Sequence, residues 1–160
     1  MASFSIGALI KISDEDAKAF LKEFQTAVEG IDAIGIFLHN SSIALPMFIP
    51  GFGVAWGLFA SASTGLAFSA LASTTPILAN IPPIAILVAS PFGVMELAAY
   101  SIGMSRSFIL IWTIIKKNPL KQQIKPTVIE IGIAIALLLA GGFIEYAMIN
   151  QFGTGIPISS

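Results

Sequence analysis

The sequence contains no cysteine and only one histidine. Without cysteine the chain can form no disulfide, no thiol nucleophile and no zinc–thiolate site. His39 alone cannot build a metal centre, because such a centre needs three or four ligands. We therefore expect neither a metal nor a cofactor. The net charge of −1 also argues against nucleic acid as a partner, since binding to phosphates needs a basic patch.

The motifs of common enzyme classes are missing as well. The chain has no zinc-protease motif, no GxSxG nucleophile elbow and no phosphate-binding loop. No set of residues supports hydrolysis at membrane depth. The sequence therefore predicts no catalytic residues and a protein that is not an enzyme.

Charged residues are scarce and unevenly placed. They make up 11% of the chain, against about 25% in an ordinary soluble domain. No Asp, Glu, Lys or Arg occurs between Asp32 and Glu96, and Arg106 is the only one between Glu96 and Lys116. A soluble protein of this size could not hide such stretches, because each of its elements needs a face in water. The sequence predicts an integral membrane protein whose outer face is solvated by lipid.

Apolar runs of about 20 residues, the length that a membrane helix needs, divide the chain. They predict an all-α polytopic transmembrane helical bundle with about four crossings. One crossing is broken or re-entrant, because Pro83 and Pro91 interrupt it. Residues 13–30 are predicted to form an amphipathic helix at the membrane surface or against the bundle. The predicted membrane segments are 31–49, 51–73, 84–115 and 127–150.

The lysines indicate an orientation. Lys116, Lys117, Lys121 and Lys125 fall in one short polar stretch, 116–126. Positively charged loops stay on the cytoplasmic side of a membrane, so we expect this loop in the cytoplasm. Counting four crossings from it places both termini outside the cell membrane.

Small residues recur at every fourth position of the second segment. On a helix this row forms one narrow stripe, which lets another helix approach closely in lipid. The simpler interpretation is packing within the chain, and the alternative is packing against another chain. A weaker stripe in the last segment consists of Gly132, Ala136 and Ala140. The stronger row consists of Gly53, Gly57, Ser61, Gly65, Ser69 and Ser73.

Glu96 is the most informative single residue. A charged side chain at membrane depth costs about 2.5–3.5 kcal/mol on insertion scales, so Glu96 should face the bundle interior and find partners there. His39 and Asn40 of the first crossing are the candidates, and together the three form a predicted intramembrane polar cluster. Either Glu96 joins two helices by hydrogen bonds, or it belongs to a proton, ion or ligand site.

Three further charged residues flank or enter the apolar runs. Arg106 is expected either to extend its side chain toward the inner membrane face or to pair inside the bundle. Glu130 is expected at the cytoplasmic headgroups, and Glu145 nearer the outside.

Two stretches carry a family resemblance, SPFGVMELAAY at 90–100 and residues 36–71. The first is similar to the Pro-His-Gly…Glu-Leu-Pro-Ala pattern at the start of a membrane helix in the stage II sporulation protein M family of multi-pass membrane proteins. Phe92 stands where the family usually has His. Residues 36–71 also resemble the family, with Asn40 at a typical Asn position. The matching residues of the first stretch are Pro91, Gly93, Glu96, Leu97 and Ala98.

The resemblance implies a scaffold rather than a catalyst, because the sporulation members recruit cell-wall hydrolases without chemistry of their own. Members usually carry one more N-terminal crossing, which implies that residues 1–12 are the remnant of a lost or shortened first helix.

Two functions remain open at the level of the sequence. The first is a non-catalytic membrane scaffold or accessory subunit, with the lipid bilayer and other membrane subunits, or further copies of itself, as partners. The alternative is a membrane subunit of a transporter or channel that uses a polar site around Glu96. Broken helices with polar residues at depth are typical of transporter substrate sites.

Overall fold

Helices joined by short turns make up the described part of the chain. The structure is a computed structural model that describes residues 2–9, 15, 19, 22, 30–74 and 81–152. No β-strand occurs in these ranges. The elements are α1 (Ala2–Leu9), α2 (Ala33–Ala44), a 3₁₀ turn (Leu45–Phe48), α3 (Phe52–Thr74), α4 (Pro83–Ala89), α5 (Pro91–Ile115) and α6 (Lys121–Phe152).

Within these ranges, three helices are long and apolar enough to cross a membrane. They are α3 over Phe52–Ala70, α5 over Pro91–Ile115 and α6 over Lys121–Gln151. Their outer surfaces expose large apolar side chains such as Phe59, Phe108 and Phe143, which lipid can cover and water cannot. The predicted all-α membrane helical bundle is therefore confirmed. The stretch Ala33–Phe48 is apolar but shorter, so the fourth crossing stays a prediction.

The predicted segment 84–115 is divided into α4 and α5 at Ser90. The backbone of Ser90 is extended there, with φ −91° and ψ 133°. Its hydroxyl donates to the Leu87 carbonyl at 3.1 Å and accepts from the Gly93 amide at 3.2 Å. Ser90 thus ends one helix and caps the next, while Pro91 occupies the first helical position, where its missing N–H costs nothing.

Helix α6 begins earlier than the predicted boundary at 127. Lys121 and Lys125 are helical, and Pro126 lies inside the helix. A proline there removes a bond to the carbonyl of Gln122, which is exposed and can be solvated instead. The predicted loop 116–126 is therefore shorter in the structure, where the chain turns at Lys117 with a φ of 55°. Most of the amphipathic helix predicted over 13–30 lies outside the described residues.

The core lies where α2 and the 3₁₀ turn meet α5 and α6. Its buried members are Ala44, Phe48, Ala99, Ala134 and Leu138. Alanine dominates this set, so the helices approach closely and contact over their backbones as well as their side chains. That is the usual basis of helix association in lipid, where burial of apolar surface gives no advantage over exposure to lipid tails.

The small-residue row of α3 packs against other parts of the same chain. A Cβ atom added at Gly53 would overlap the backbone carbonyl of Met47 in the 3₁₀ turn. One added at Gly57 would overlap the side chain of Met104 in α5. Both glycines are buried, and Ser61 and Ser69 on the same row are half-buried.

Farther along α3, the same row of small residues packs against α1. A Cβ at Gly65 would overlap the Phe4 backbone, and a Cβ at Gly7 would overlap the Ala62 carbonyl. The two helices therefore each contribute one glycine to a backbone-to-backbone crossing. Phe4 packs edge-on against Phe68 beside it, with ring centroids 5.8 Å apart.

This crossing predicts that Gly65→Leu separates α1 from α3. Overpacking costs about 1–3 kcal/mol, and here the obstacle is backbone, which has no rotamer to change. Amide hydrogen exchange in residues 2–9 should accelerate about tenfold, the factor for 1.4 kcal/mol. Ser63→Leu, at a neighbouring exposed position, is the matched control and should leave exchange in α1 unchanged. Equal exchange in the two variants would contradict the crossing.

Candidate functional site

A hydrogen bond joins Asn40 of α2 to Glu96 of α5. The Asn40 side-chain amide donates to Glu96 Oε1 at 2.6 Å. Asn40 shares the inward face of α2 with Ile36 and Ala44, and all three are buried. Glu96 lies in the second turn of α5 and is half-buried. The structure thus brings together two of the three residues of the predicted intramembrane polar cluster.

His39 does not join them. Its side chain is exposed, because neighbouring positions on a helix are rotated by about 100° and Asn40 takes the inward direction. The His39 carbonyl accepts a hydrogen bond from the Ser42 hydroxyl at 2.6 Å, which is local to α2. The prediction that His39 belongs to the cluster differs from the structure for this geometric reason.

Tyr100 and Glu145, rather than His39, lie near Glu96. Tyr100 follows Glu96 by four residues on α5 and therefore lies on the same face. Glu145 on α6 lies within electrostatic range of both Glu96 and Tyr100. All three side chains are half-buried. The four-residue spacing could have identified Tyr100 from the sequence, whereas the position of Glu145 depends on how α6 is aligned with α5.

The cluster of Asn40, Glu96, Tyr100 and Glu145 has an unusual balance of charge. It contains two carboxyl groups, and neither forms an ion pair with a basic side chain in the described ranges. Two carboxylates within electrostatic range of each other at membrane depth repel each other. The arrangement is chemically suited to sharing a proton or holding a small cation, and it also suits a purely structural link between α2 and α5.

The residues matching the sporulation family pattern form the turn that leads to Glu96. Pro91 begins α5, and Gly93 lies so close to the Leu87 carbonyl that a Cβ atom would overlap it. Leu97 is half-buried. Gly93 therefore allows α4 to fold back against the start of α5, which fixes where Glu96 enters the bundle.

A second polar group joins α5 to α6. Arg106 is buried, with 5% of its surface exposed. Its Nε donates to Glu130 Oε2 at 2.6 Å, its Nη2 pairs with Glu130 Oε1, and its Nη1 donates to Gln123 Oε1 at 3.0 Å. Arg106 therefore pairs inside the bundle, the second of the two expectations for it. The Glu130 carboxylate neutralises this buried guanidinium, and its expected position at the cytoplasmic headgroups stays a prediction.

The weaker small-residue stripe behaves differently from the row on α3. Gly132, Ala136 and Ala140 are exposed along the outer face of α6, and a Cβ at Gly132 would meet nothing within 4 Å. We refer to these three residues as the α6 outer stripe. Ile133 and Leu139 beside it are also exposed. The opposite face of α6 is the one that the core uses, through Ala134 and Leu138.

Comparison of the chain with protein-family models, curated proteins and solved structures finds no match. The resemblance to the stage II sporulation protein M family therefore stays a prediction. In the described part of the chain, no three His, Cys, Asp or Glu side chains come together as a metal centre would require.

The Arg106–Glu130 pair predicts a characteristic double-mutant cycle. Removing one partner of a buried pair costs about 3–5 kcal/mol, and less here because the Glu130 side chain is 29% exposed. Arg106→Met should therefore lower the unfolding free energy in detergent strongly, and Arg106→Met with Glu130→Leu should recover much of the loss. Lys121→Met, which removes an exposed charge, should have little effect. Additive losses in the double variant would show that the two side chains do not interact.

Proposed function

We propose that this chain is a non-catalytic membrane scaffold or accessory subunit that joins its complex through the outer face of α6. The observation that carries the proposal is the exposed α6 outer stripe. On α3 the same kind of row is filled by α1, the 3₁₀ turn and α5. On α6 no described segment of the chain covers it.

Small residues on a membrane helix matter because lipid gives helices no hydrophobic reason to associate. Close backbone approach supplies van der Waals contact instead. A glycine in a helix also costs about 1 kcal/mol relative to alanine in water-based scales, so Gly132 is best accounted for by a contact that needs its missing side chain. A helix of another membrane subunit, or α6 of a second copy, has the required shape.

The similarity to the sporulation protein family favours the same proposal, since the sporulation members of that family act as scaffolds. The amphipathic helix predicted from the sequence of residues 13–30 and the turn 116–120 are further proposed docking surfaces. For the orientation, we propose that the turn 116–120 lies in the cytoplasm, with Ala33–Phe48 as a fourth crossing and both termini outside.

The absence of native cysteine makes a crosslinking experiment direct. Ala136→Cys should give a crosslinked species in native membranes after mild oxidation or with a short thiol crosslinker. Mass spectrometry of that species identifies the partner as a second copy or another subunit.

Ser101→Cys is the matched control. Ser101 is exposed on α5 at nearly the same depth as Ala136, because Arg106 pairs with Glu130 and Met95 lies against Gly141. The control should give no specific product. A chain with Ala136→Cys that stays monomeric in native membranes, or that crosslinks no more than Ser101→Cys, would overturn the proposal.

The second candidate function is a transporter or channel subunit. It is favoured by the carboxyl groups of Glu96 and Glu145, which lie within electrostatic range of each other inside the bundle; Glu96 is also hydrogen-bonded to Asn40. Carboxyl groups at membrane depth are common in proton and ion pathways. The group lies close to the Ser90 break between α4 and α5, and discontinuous helices line such pathways in transporters.

This second candidate predicts a proton flux that depends on Glu96. Liposomes containing the purified protein and a trapped pH-sensitive dye should acidify faster than empty liposomes when a potassium gradient is applied with valinomycin. Glu96→Gln keeps an acceptor for the Asn40 amide but removes the charge, so it should abolish the extra flux. His39→Gln, on the exposed side of α2, should preserve it. No flux above that of empty liposomes would remove this candidate.

A further inference from the structure

Half of the basic residues of the chain lie at one end of the bundle. The chain has eight Lys and Arg residues, and four of them are Lys116, Lys117, Lys121 and Lys125, which we call the lysine patch. Two close the end of α5 and two lie in the first turns of α6. All four side chains are exposed. The turn between the helices therefore concentrates four positive charges in a small area.

Among the residues that the structure describes, no carboxylate balances the lysine patch. The stretch 116–126 contains no Asp or Glu, and the first turn of α6 carries no acidic residue. Glu130, the next acidic residue, is already paired with the buried Arg106. In the described ranges none of the four lysines forms an ion pair. The positive charge is thus available to a partner outside the chain.

Exposed aromatic side chains lie just below the lysine patch. Trp112 is exposed and stacks on Phe108, and the ammonium of Lys116 lies 5.0 Å from the centre of the Trp112 ring. Phe52 of α3 is also exposed. It lies at a similar level, because the amide of the preceding Gly51 donates to the Ser107 carbonyl and Gly51 lies against Ile111. Such aromatic rings typically sit at the level of the lipid headgroups.

Apolar side chains adjoin the lysines on the same surface. Leu120, Ile124 and Val128 recur at every fourth position and are exposed, next to Lys121 and Lys125 along α6. Lipid acyl chains can cover this exposed row of apolar side chains without an energetic cost. The ammonium groups beside it can extend to the headgroups above. The surface thus presents apolar side chains to the lipid acyl chains and ammonium groups to the phosphates of the lipid headgroups.

We propose that the lysine patch, with Trp112 beneath it, is a binding surface for the headgroups of anionic phospholipids. Charge complementarity favours anionic over zwitterionic headgroups, because zwitterionic headgroups bring no net charge to balance four ammonium groups. The apolar row indicates a lipid that stays in the bilayer rather than a soluble anion. The surface acts on whichever leaflet the turn faces, so it does not depend on the orientation proposed above.

Tryptophan fluorescence tests this surface directly. The chain has two tryptophans, and Trp56→Phe leaves Trp112 as the reporter. The protein is reconstituted in vesicles in which both leaflets contain either brominated phosphatidylglycerol or brominated phosphatidylcholine as the quencher. We expect the relative association constant at Trp112 to favour phosphatidylglycerol by about fivefold or more, the factor for one lysine–headgroup contact.

Two comparisons separate the lysine patch from general effects. Replacing all four lysines by Gln should bring the preference to about one while quenching by phosphatidylcholine stays the same. A variant with Trp56→Phe, Trp112→Phe and Val94→Trp places the reporter at the opposite end of α5, where Val94 is exposed, and should show no preference.

Salt and phosphate titrations on the Trp56→Phe variant need no further substitution. Raising the ionic strength should weaken the excess quenching by phosphatidylglycerol, because the attraction is electrostatic and exposed. Inorganic phosphate should suppress it no more than an equal ionic strength of chloride; stronger suppression would show that the site takes a free phosphate and would overturn the proposal. Equal quenching by the two lipids at low salt would overturn it as well.

Discussion

Lipid as the solvent is the constraint on which the rest of this structure depends. Apolar side chains gain nothing by leaving lipid for a protein interior, so the helices need other reasons to associate. The chain supplies two. Glycine and alanine at the helix crossings let backbones touch, and a few polar side chains find their partners only when the helices are in place.

Helix α5 is where these two kinds of contact meet. Asn40 links it to α2, and Glu130 links it to α6. The Ser107 hydroxyl donates to the Ile49 carbonyl at 2.6 Å, which ties α5 to the connection before α3. Each of these hydrogen bonds gives a polar atom a partner that lipid tails could not supply. The position of α5 is therefore determined by hydrogen bonds at several depths.

Much of the fold could be predicted from the sequence, because composition and the lengths of apolar runs report directly on lipid exposure. The break near Pro91 also followed from a local rule, because proline cannot continue a preceding helix. The Asn40–Glu96 pair followed from another, because a carboxyl group at membrane depth needs a partner. The start of α6 did not follow, because Pro126 is a helix breaker in most contexts and is tolerated here. The pairing of Arg106 with Glu130 and the approach of Glu145 to Glu96 depend on how two helices are aligned. No pattern within one helix reports that alignment.

The contact between α1 and α3 has a consequence for the order of assembly. Residues 2–9 precede α3 in the chain, and the surface of α3 that they contact is centred on Gly65. During synthesis these residues leave the ribosome before that surface exists. The backbone contact at Gly7 and Gly65 can therefore form only once α3 has been made, so it is a late step in the assembly of these two helices although α1 is the earlier of the two.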